Sequence, residues 1–210
     1  MKRLPFRERD DLPAAAIAAA EVTAAGGVVV VPTESYYGLG ADPRNPDAVA
    51  RVFATKGRPG DRALPVVCCD WQQVESLVSI PDPHRVRLGR IWPAALTAVA
   101  RCREPIAAAA GSTLAVRIPG HAMLRALLYR VGPLTATSAN RHGAAPCTSV
   151  DSVLESLGAA PDLVLDAGRL PGGEVSTMVD LTGGSPVILR RGPVSWDQLF
   201  DPETESVRDL

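Results

Sequence analysis

Hydrophobic positions along this chain fall into short runs of two kinds, and their alternation sets the reading. Val28-Val-Val-Val31 is an unbroken β-branched run, which predicts a strand covered on both faces. Pro32 closes it, having no N–H to offer a ladder. Ahead of it, Ala14 to Ala25 predicts a helix capped by Asp10 or Asp11, with Pro13 in the opening turn and Gly26-Gly27 as terminator. Behind it, Asn45 as N-cap, Pro46 at the first position and Gly57 past the end predict a helix finishing on Lys56. The segment between, Thr33 to Gly40, is small, hydroxylated and glycine-rich and reads as a loop at the carboxyl end of a strand, the usual place for a site in an open α/β sheet.

The same alternation continues. Leu64 to Cys69, Leu96 to Arg101, Leu114 to Ile118 and Leu134 to Ser138 predict strands. Trp71 to Val78, Pro83 to Ile91, His121 to Val131 and a segment opened by Ser149 or Asp151 and reaching Leu157 predict helices. Leu163 to Asp166, Thr177 to Leu181 and Val187 to Arg190 are late strands with little helix between them. No repeat or linker interrupts the pattern, so the expectation is one α/β domain over residues 1–210 with a twisted, mostly mixed β-sheet flanked by helices.

Composition narrows the function classes. A 210-residue chain that is 46% hydrophobic can bury one substantial core, and a net charge of −1 gives no global basic field for bulk nucleic-acid binding. No stretch reaches the ~18 apolar residues of a membrane span, and the N-terminus lacks the apolar core of a signal peptide, so a cytoplasmic protein is expected. Cys68, Cys69, Cys102 and Cys147 have no CxxC spacing, and His84, His121 and His142 are scattered; neither a disulfide framework nor a protein metal site is expected.

Candidate chemistry lies at strand ends. The only lysines are Lys2 and Lys56, in a chain with 22 Lys plus Arg. A compact ammonium in mid-chain beside Arg58 suits phosphate oxygens, although a helix C-terminus also favours cations. Thr113 and Arg117 share one face of a strand by the period of two; a charged Arg117 in an apolar run must either pair with a carboxylate or bind an anion. Ser138 and Asn140 follow a short strand. They can donate to a ligand or to their own turn, and Ser138 lacks the Gly-x-Ser-x-Gly elbow of a nucleophile. Thr33, Ser35, Tyr37, Ser176 and Arg190 complete a set of hydroxyls and cations suited to a phosphorylated ligand with a second anionic group. No Walker loop and no dinucleotide fingerprint is present.

Six blocks in order carry a resemblance: Pro-Thr-Glu-Ser-Tyr-Tyr-Gly-Leu39, Lys-Gly-Arg-Pro59, Ala-Val-Arg-Ile-Pro119, Thr-Ser-Ala-Asn140, Ser-Thr-Met-Val-Asp180 and Leu-Arg-Arg-Gly192. Together they resemble the YrdC/TsaC family of threonylcarbamoyladenylate synthases in its short, single-domain form, with a core of about 15–194. The resemblance implies helices and sheet around a concave cationic cavity. It also implies formation of threonylcarbamoyl-AMP and pyrophosphate from L-threonine, bicarbonate and ATP, with Mg2+ carried on the phosphates. By similarity, Lys56 and Arg58 would be the catalytic pair on the ATP phosphates, with Thr113, Ser138, Asn140 and Arg190 in the nucleotide site. Ser35, Arg117 and Ser176 would hold threonine, supported by Thr33 and Tyr37. The implied partner is a threonylcarbamoyl transferase acting on tRNA, with at most a weak direct contact to RNA and none to a membrane. The chain departs from the family's pattern at Ala63, at Val67 where some members carry a His, and at Arg141-His142. Two alternatives stay open: a paralogue activating a different carbamate as its adenylate, and a non-catalytic RNA-binding module. Against the latter, aromatics are only 4% of the chain, which supplies base stacking poorly.

Overall fold

The valine run is split by its own period of two between two hydrophobic cores. Val28 and Val30 belong to one cluster, Val29 and Val31 to the other, all four at most 1% exposed. Leu163, Val164 and Leu165 divide the same way. A strand buried on both faces has no polar side, so it reads as a continuous apolar run; each fully buried Val contributes roughly 1.5–3 kcal/mol.

The computed structural model describes residues 1–57, 63–183, 185–195 and 197. In chain order the elements are β1 (Lys2–Pro5), a 3-10 turn (Arg9–Asp11), α1 (Leu12–Ala24), β2 (Val29–Pro32), β3 (Tyr37–Gly40) and α2 (Pro46–Lys56). Then come β4 (Val66–Val67), α3 (Trp71–Glu75), β5 (Val78–Ser79), α4 (Asp82–Ile91), β6 (Leu96–Cys102) and β7 (Thr113–Arg117). The last are α5 (Ala122–Val131), β8 (Leu134–Thr135), β9 (Thr137–Ser138), α6 (Val150–Ser156), β10 (Leu163–Asp166), β11 (Thr177–Asp180) and β12 (Val187–Arg190).

The α/β class and the mixture of parallel and antiparallel strands agree with the sequence reading, but the strands are divided between two sheets. One runs β1-β10-β2-β3-β9 and the other β12-β11-β6-β7-β4-β8, with β5 on β6. One cluster of buried residues includes α2, β6 and β7 side chains. The second lies under α1 and α5, where Ala15, Ala16, Ala18 and Ala19 let α1 approach closely.

Four expectations change. The Thr33–Gly40 segment is not all loop, because Tyr37–Gly40 pairs antiparallel with both β2 and β9. Glycine serves that pairing: a Cβ on Gly38 would stand 3.4 Å from the Thr137 carbonyl. The polar Lys2–Pro5 stretch is an edge strand parallel to β10. The predicted 71–78 helix stops at Glu75 and Val78 turns into β5, paired with Cys102. Finally, Leu134 to Ser138 is two strands. Leu134–Thr135 pairs with β4 in one sheet and Thr137–Ser138 with β3 in the other, so the chain crosses between sheets at Ala136. No helix among the described residues is long and apolar enough to cross a membrane.

Candidate functional site

That crossing opens a hollow of about 320 Å³ between the sheets. Its walls come from both: Thr33, Ser35 and Tyr37 from the β2–β3 turn, Thr137 and Ser138 from β9, Val67 and Arg117 from the paired ends of β4 and β7, and Thr97, Ser176 and Arg190 from β6, β11 and β12.

The β2–β3 turn is fixed by Thr33. Its hydroxyl donates to the Tyr36 carbonyl at 2.7 Å and accepts the N–H groups of Ser35 and Tyr36 at 3.4 and 3.3 Å. This is the side-chain-on-backbone bonding that suits Thr to turns. Tyr37 is fully buried; its hydroxyl donates to the Gly168 carbonyl at 2.7 Å and accepts from Ala167 N–H at 3.0 Å. The turn that carries Ser35 is thereby tied to the loop leading towards Ser176.

Arg117 is the most deeply placed cation on the hollow, its side chain 13% exposed. Its Nη1 stands 3.4 Å from Oε1 of Glu34. Burial pulls the guanidinium below its ordinary range and Glu34 opposes that shift. Arg190 reaches in from β12, donating from Nε to the Ser176 carbonyl and from Nη2 to the Ser176 hydroxyl, both at 2.9 Å. The Ser176 hydroxyl also lies 2.9 Å from that of Thr97. Arg190 is likewise lowered, first by burial and then by the charge of Arg117. Two guanidinium groups therefore feel each other, with Glu34 as the acid beside Arg117, and the hollow keeps an unbalanced positive charge that favours an anion.

The structure thus brings Thr33, Ser35, Tyr37, Arg117, Ser138, Ser176 and Arg190 to one hollow. Lys56 is not on its wall. The ammonium at the end of α2 is buried, 3% exposed, and Nζ donates to the carbonyl oxygens of Ser138 and, at 3.0 Å, Asn140. The Lys56 carbonyl in turn accepts from His142 N–H at 2.9 Å. Lys56 is a brace under the β9 loop, because α2 ends directly beneath it. Asn140 is also below the wall: Nδ2 donates to the carbonyls of Arg141 and Ala144, and its buried Oδ1 has no hydrogen-bond partner among the described residues. Thr113 starts the strand that Arg117 ends and its hydroxyl donates to Ala110 instead; it does not line the hollow. Arg58 lies outside the described residues.

Three residues of the site escaped the sequence reading. Thr97 follows an Ala-Ala-Leu run with no polar neighbour to flag it, and only the parallel register Met178↔Thr97 brings it to Ser176. Thr137 was hidden by the expectation of one continuous strand. Glu34 carried a signal, an acid inside a run of hydroxyls, but its partner Arg117 is distant in sequence.

An α/β protein whose two sheets meet over a guanidinium-lined, hydroxyl-rich hollow is thus defined by fold and site. The chain belongs to the Sua5/YciO/YrdC family: the family model, which bears the description Telomere recombination, matches residues 21–192. The threonylcarbamoyl-AMP synthase of Halorhodospira halophila is 39% identical over 192 residues, covering 89% of this chain and 95% of that protein. The Bacillus subtilis threonylcarbamoyl-AMP synthase is 35% identical over 178 residues, covering 82% of this chain and 51% of that protein. The crystal structure of P. abyssi Sua5 complexed with L-threonine matches with a TM-score of 0.84 at 35% identity, covering 91% of this chain and 58% of the other. This chain therefore spans little more than half the length of the last two relatives.

Proposed function

We propose that this protein is an L-threonylcarbamoyl-AMP synthase, joining L-threonine, bicarbonate and ATP with release of pyrophosphate, in support of threonylcarbamoyladenosine formation on tRNA. The observation that carries the reading is the convergence of Ser35, Arg117 and Ser176 with Ser138 and Arg190 on one hollow, in a chain 35% identical to a Sua5 that holds L-threonine.

The chemistry needs two steps. The neutral amine of threonine attacks the carbon of bicarbonate and water leaves, giving N-carboxy-threonine. A carboxylate oxygen of that carbamate then attacks the α-phosphorus of ATP; the bond from this phosphorus to the bridging oxygen breaks and pyrophosphate departs. No covalent enzyme intermediate is required. The obstacle is the approach of two anions, which positioned cations lower. Arg117 takes the threonine carboxylate, flanked by the Ser35 and Ser176 hydroxyls. Arg190 and Ser138 face the nucleotide. Arg58 holds the phosphates, and Lys56 serves them from below by fixing the Ser138–Asn140 loop. Mg2+ enters on the triphosphate as part of the substrate; among the described residues no group of three or more His, Cys, Asp or Glu side chains could hold it. The adenylate then passes to a transferase that acts on tRNA.

The test is incubation with ATP, bicarbonate and each amino acid in turn, with detection of the adenylate by mass spectrometry. Threonylcarbamoyl-AMP that needs both bicarbonate and threonine is the expected product, and Arg58→Ala should abolish it while leaving the protein folded. Adenylate formed from bicarbonate without threonine would instead mean a different carbamate. Salt-sensitive RNA binding without any turnover would mean a binding module.

A further inference from the structure

Glu34 has no role in the reaction as described, yet its carboxylate is buried in the wall of the site. Both oxygens are shielded from solvent and neither has a hydrogen-bond partner among the described residues. Its one ionic contact is Nη1 of Arg117, at 3.4 Å from Oε1. An acid in that condition is costly unless a charge faces it. Arg117 shows the complementary condition: among the described residues its guanidinium makes no hydrogen bond, and Glu34 is its one ion pair. A guanidinium carries five N–H donors in a planar fork, so most of the donors of Arg117 remain available to a ligand. The placement of Glu34 is not accidental to the fold. Thr33 locks the turn that carries it, and the same turn presents Ser35 to the hollow.

We infer that Glu34 is the positioning residue for Arg117: its carboxylate holds one edge of the guanidinium, so that the remaining donors are presented to the hollow. The charge pattern explains why such a residue is needed. Arg190 stands on the same hollow, and its positive charge and that of Arg117 act on one another. Without Glu34 the two cations repel across an empty site, and Arg117 turns away from the place where a carboxylate would bind. With Glu34 behind it, Arg117 stays directed at the hollow while the site still keeps one excess positive charge for an anion. The imidazole of His121 lies within electrostatic reach on the other side, lowered mainly by burial, with Glu34 opposing that shift. Its Nδ1 accepts the Leu124 N–H at the start of α5, which holds the ring in place. Glu34 acts through Arg117 and does not itself touch substrate.

The consequence for catalysis rests on the reading of the hollow as the place where an amino-acid carboxylate meets Arg117. Glu34→Gln keeps the size and removes the charge. The expected result is a KM for L-threonine raised about tenfold, with the KM for ATP and the melting temperature close to wild type. In the ligand-free protein, the side-chain N–H resonance of Arg117 should shift and broaden while that of Arg190 stays in place. Glu34→Asp keeps the charge but withdraws it by one methylene, and should fall between the two; it also serves if Glu34→Gln fails to fold. Wild-type threonine KM together with an unchanged Arg117 resonance in the folded variants overturns the inference. So does an equal rise of both KM values, which general loosening of the site would give. If the wild-type protein forms no adenylate with threonine, the functional reading fails, and the Arg117 resonance alone still decides whether Glu34 positions it.

Discussion

Tyr37 shows how a single side chain can belong to a site without doing its chemistry. The sequence places it among hydroxyls at a strand end, and the structure does put it on the hollow. Its hydroxyl is nevertheless committed to Ala167 and Gly168 on the loop after β10. Burial is the first cause that pushes the phenol from 10 up to about 12. The neutral form is thus favoured in the folded protein. Below the unfolded value the group adds no pH dependence. As pH rises from 10 towards about 12, the unfolded chain loses its proton first and stability falls. Two units correspond to roughly 3 kcal/mol. Tyr37→Phe leaves a carbonyl and an N–H unpaired and should cost about 1–3 kcal/mol at neutral pH. Urea titrations at stepped pH should show the gap between wild type and variant shrinking through that alkaline window. A constant gap would mean that the hydroxyl is already solvated.

At the scale of elements, α2 was fully legible and β3 was not. Asn45 accepts from the N–H groups of Asp47 and Ala48, Pro46 opens the helix, and Gly57 closes it in the left-handed conformation at φ 59°. Each of these signals acts within one turn of the residue that carries it. Strand β3 contains two glycines and no apolar run, so nothing local marks it; it exists because β2 and β9 offer ladders on either side. Strand β1 is the same case, polar and short, and defined by β10 alone. The caps of α2 also decide what Lys56 does. A helix that ends one residue later would turn the ammonium away from the Ser138 and Asn140 carbonyls. Lys56→Met keeps the length of the stem and removes the donor. It should lower stability by about 1–3 kcal/mol and slow adenylate formation by about a hundredfold through displacement of the β9 loop. Thermal unfolding beside a turnover assay checks both, and wild-type stability in the variant would refute the bracing role.

For the whole molecule, the sequence supplied most of the strands and the residues at their ends, but not which sheet each strand joins. The hollow depends on that assignment, since Ser138 and Arg190 belong to different sheets. Arg190 is where the two halves of the proposed chemistry meet. It holds Ser176 with two hydrogen bonds and adds positive charge facing Arg117. These two contributions can be separated because Arg and Lys differ in shape more than in charge. Arg190→Gln loses both. ATP affinity should fall about tenfold, its dependence on NaCl should flatten, and the threonine KM should rise as Ser176 is released. Arg190→Lys keeps the charge without the planar fork, so ATP binding should retain its salt dependence while the threonine KM still rises. Calorimetric ATP titrations at low and high salt, beside threonine kinetics, test this. If both variants lose ATP affinity and salt dependence equally, the fork rather than the charge meets the nucleotide; if neither changes the threonine KM, Ser176 is held in place without Arg190.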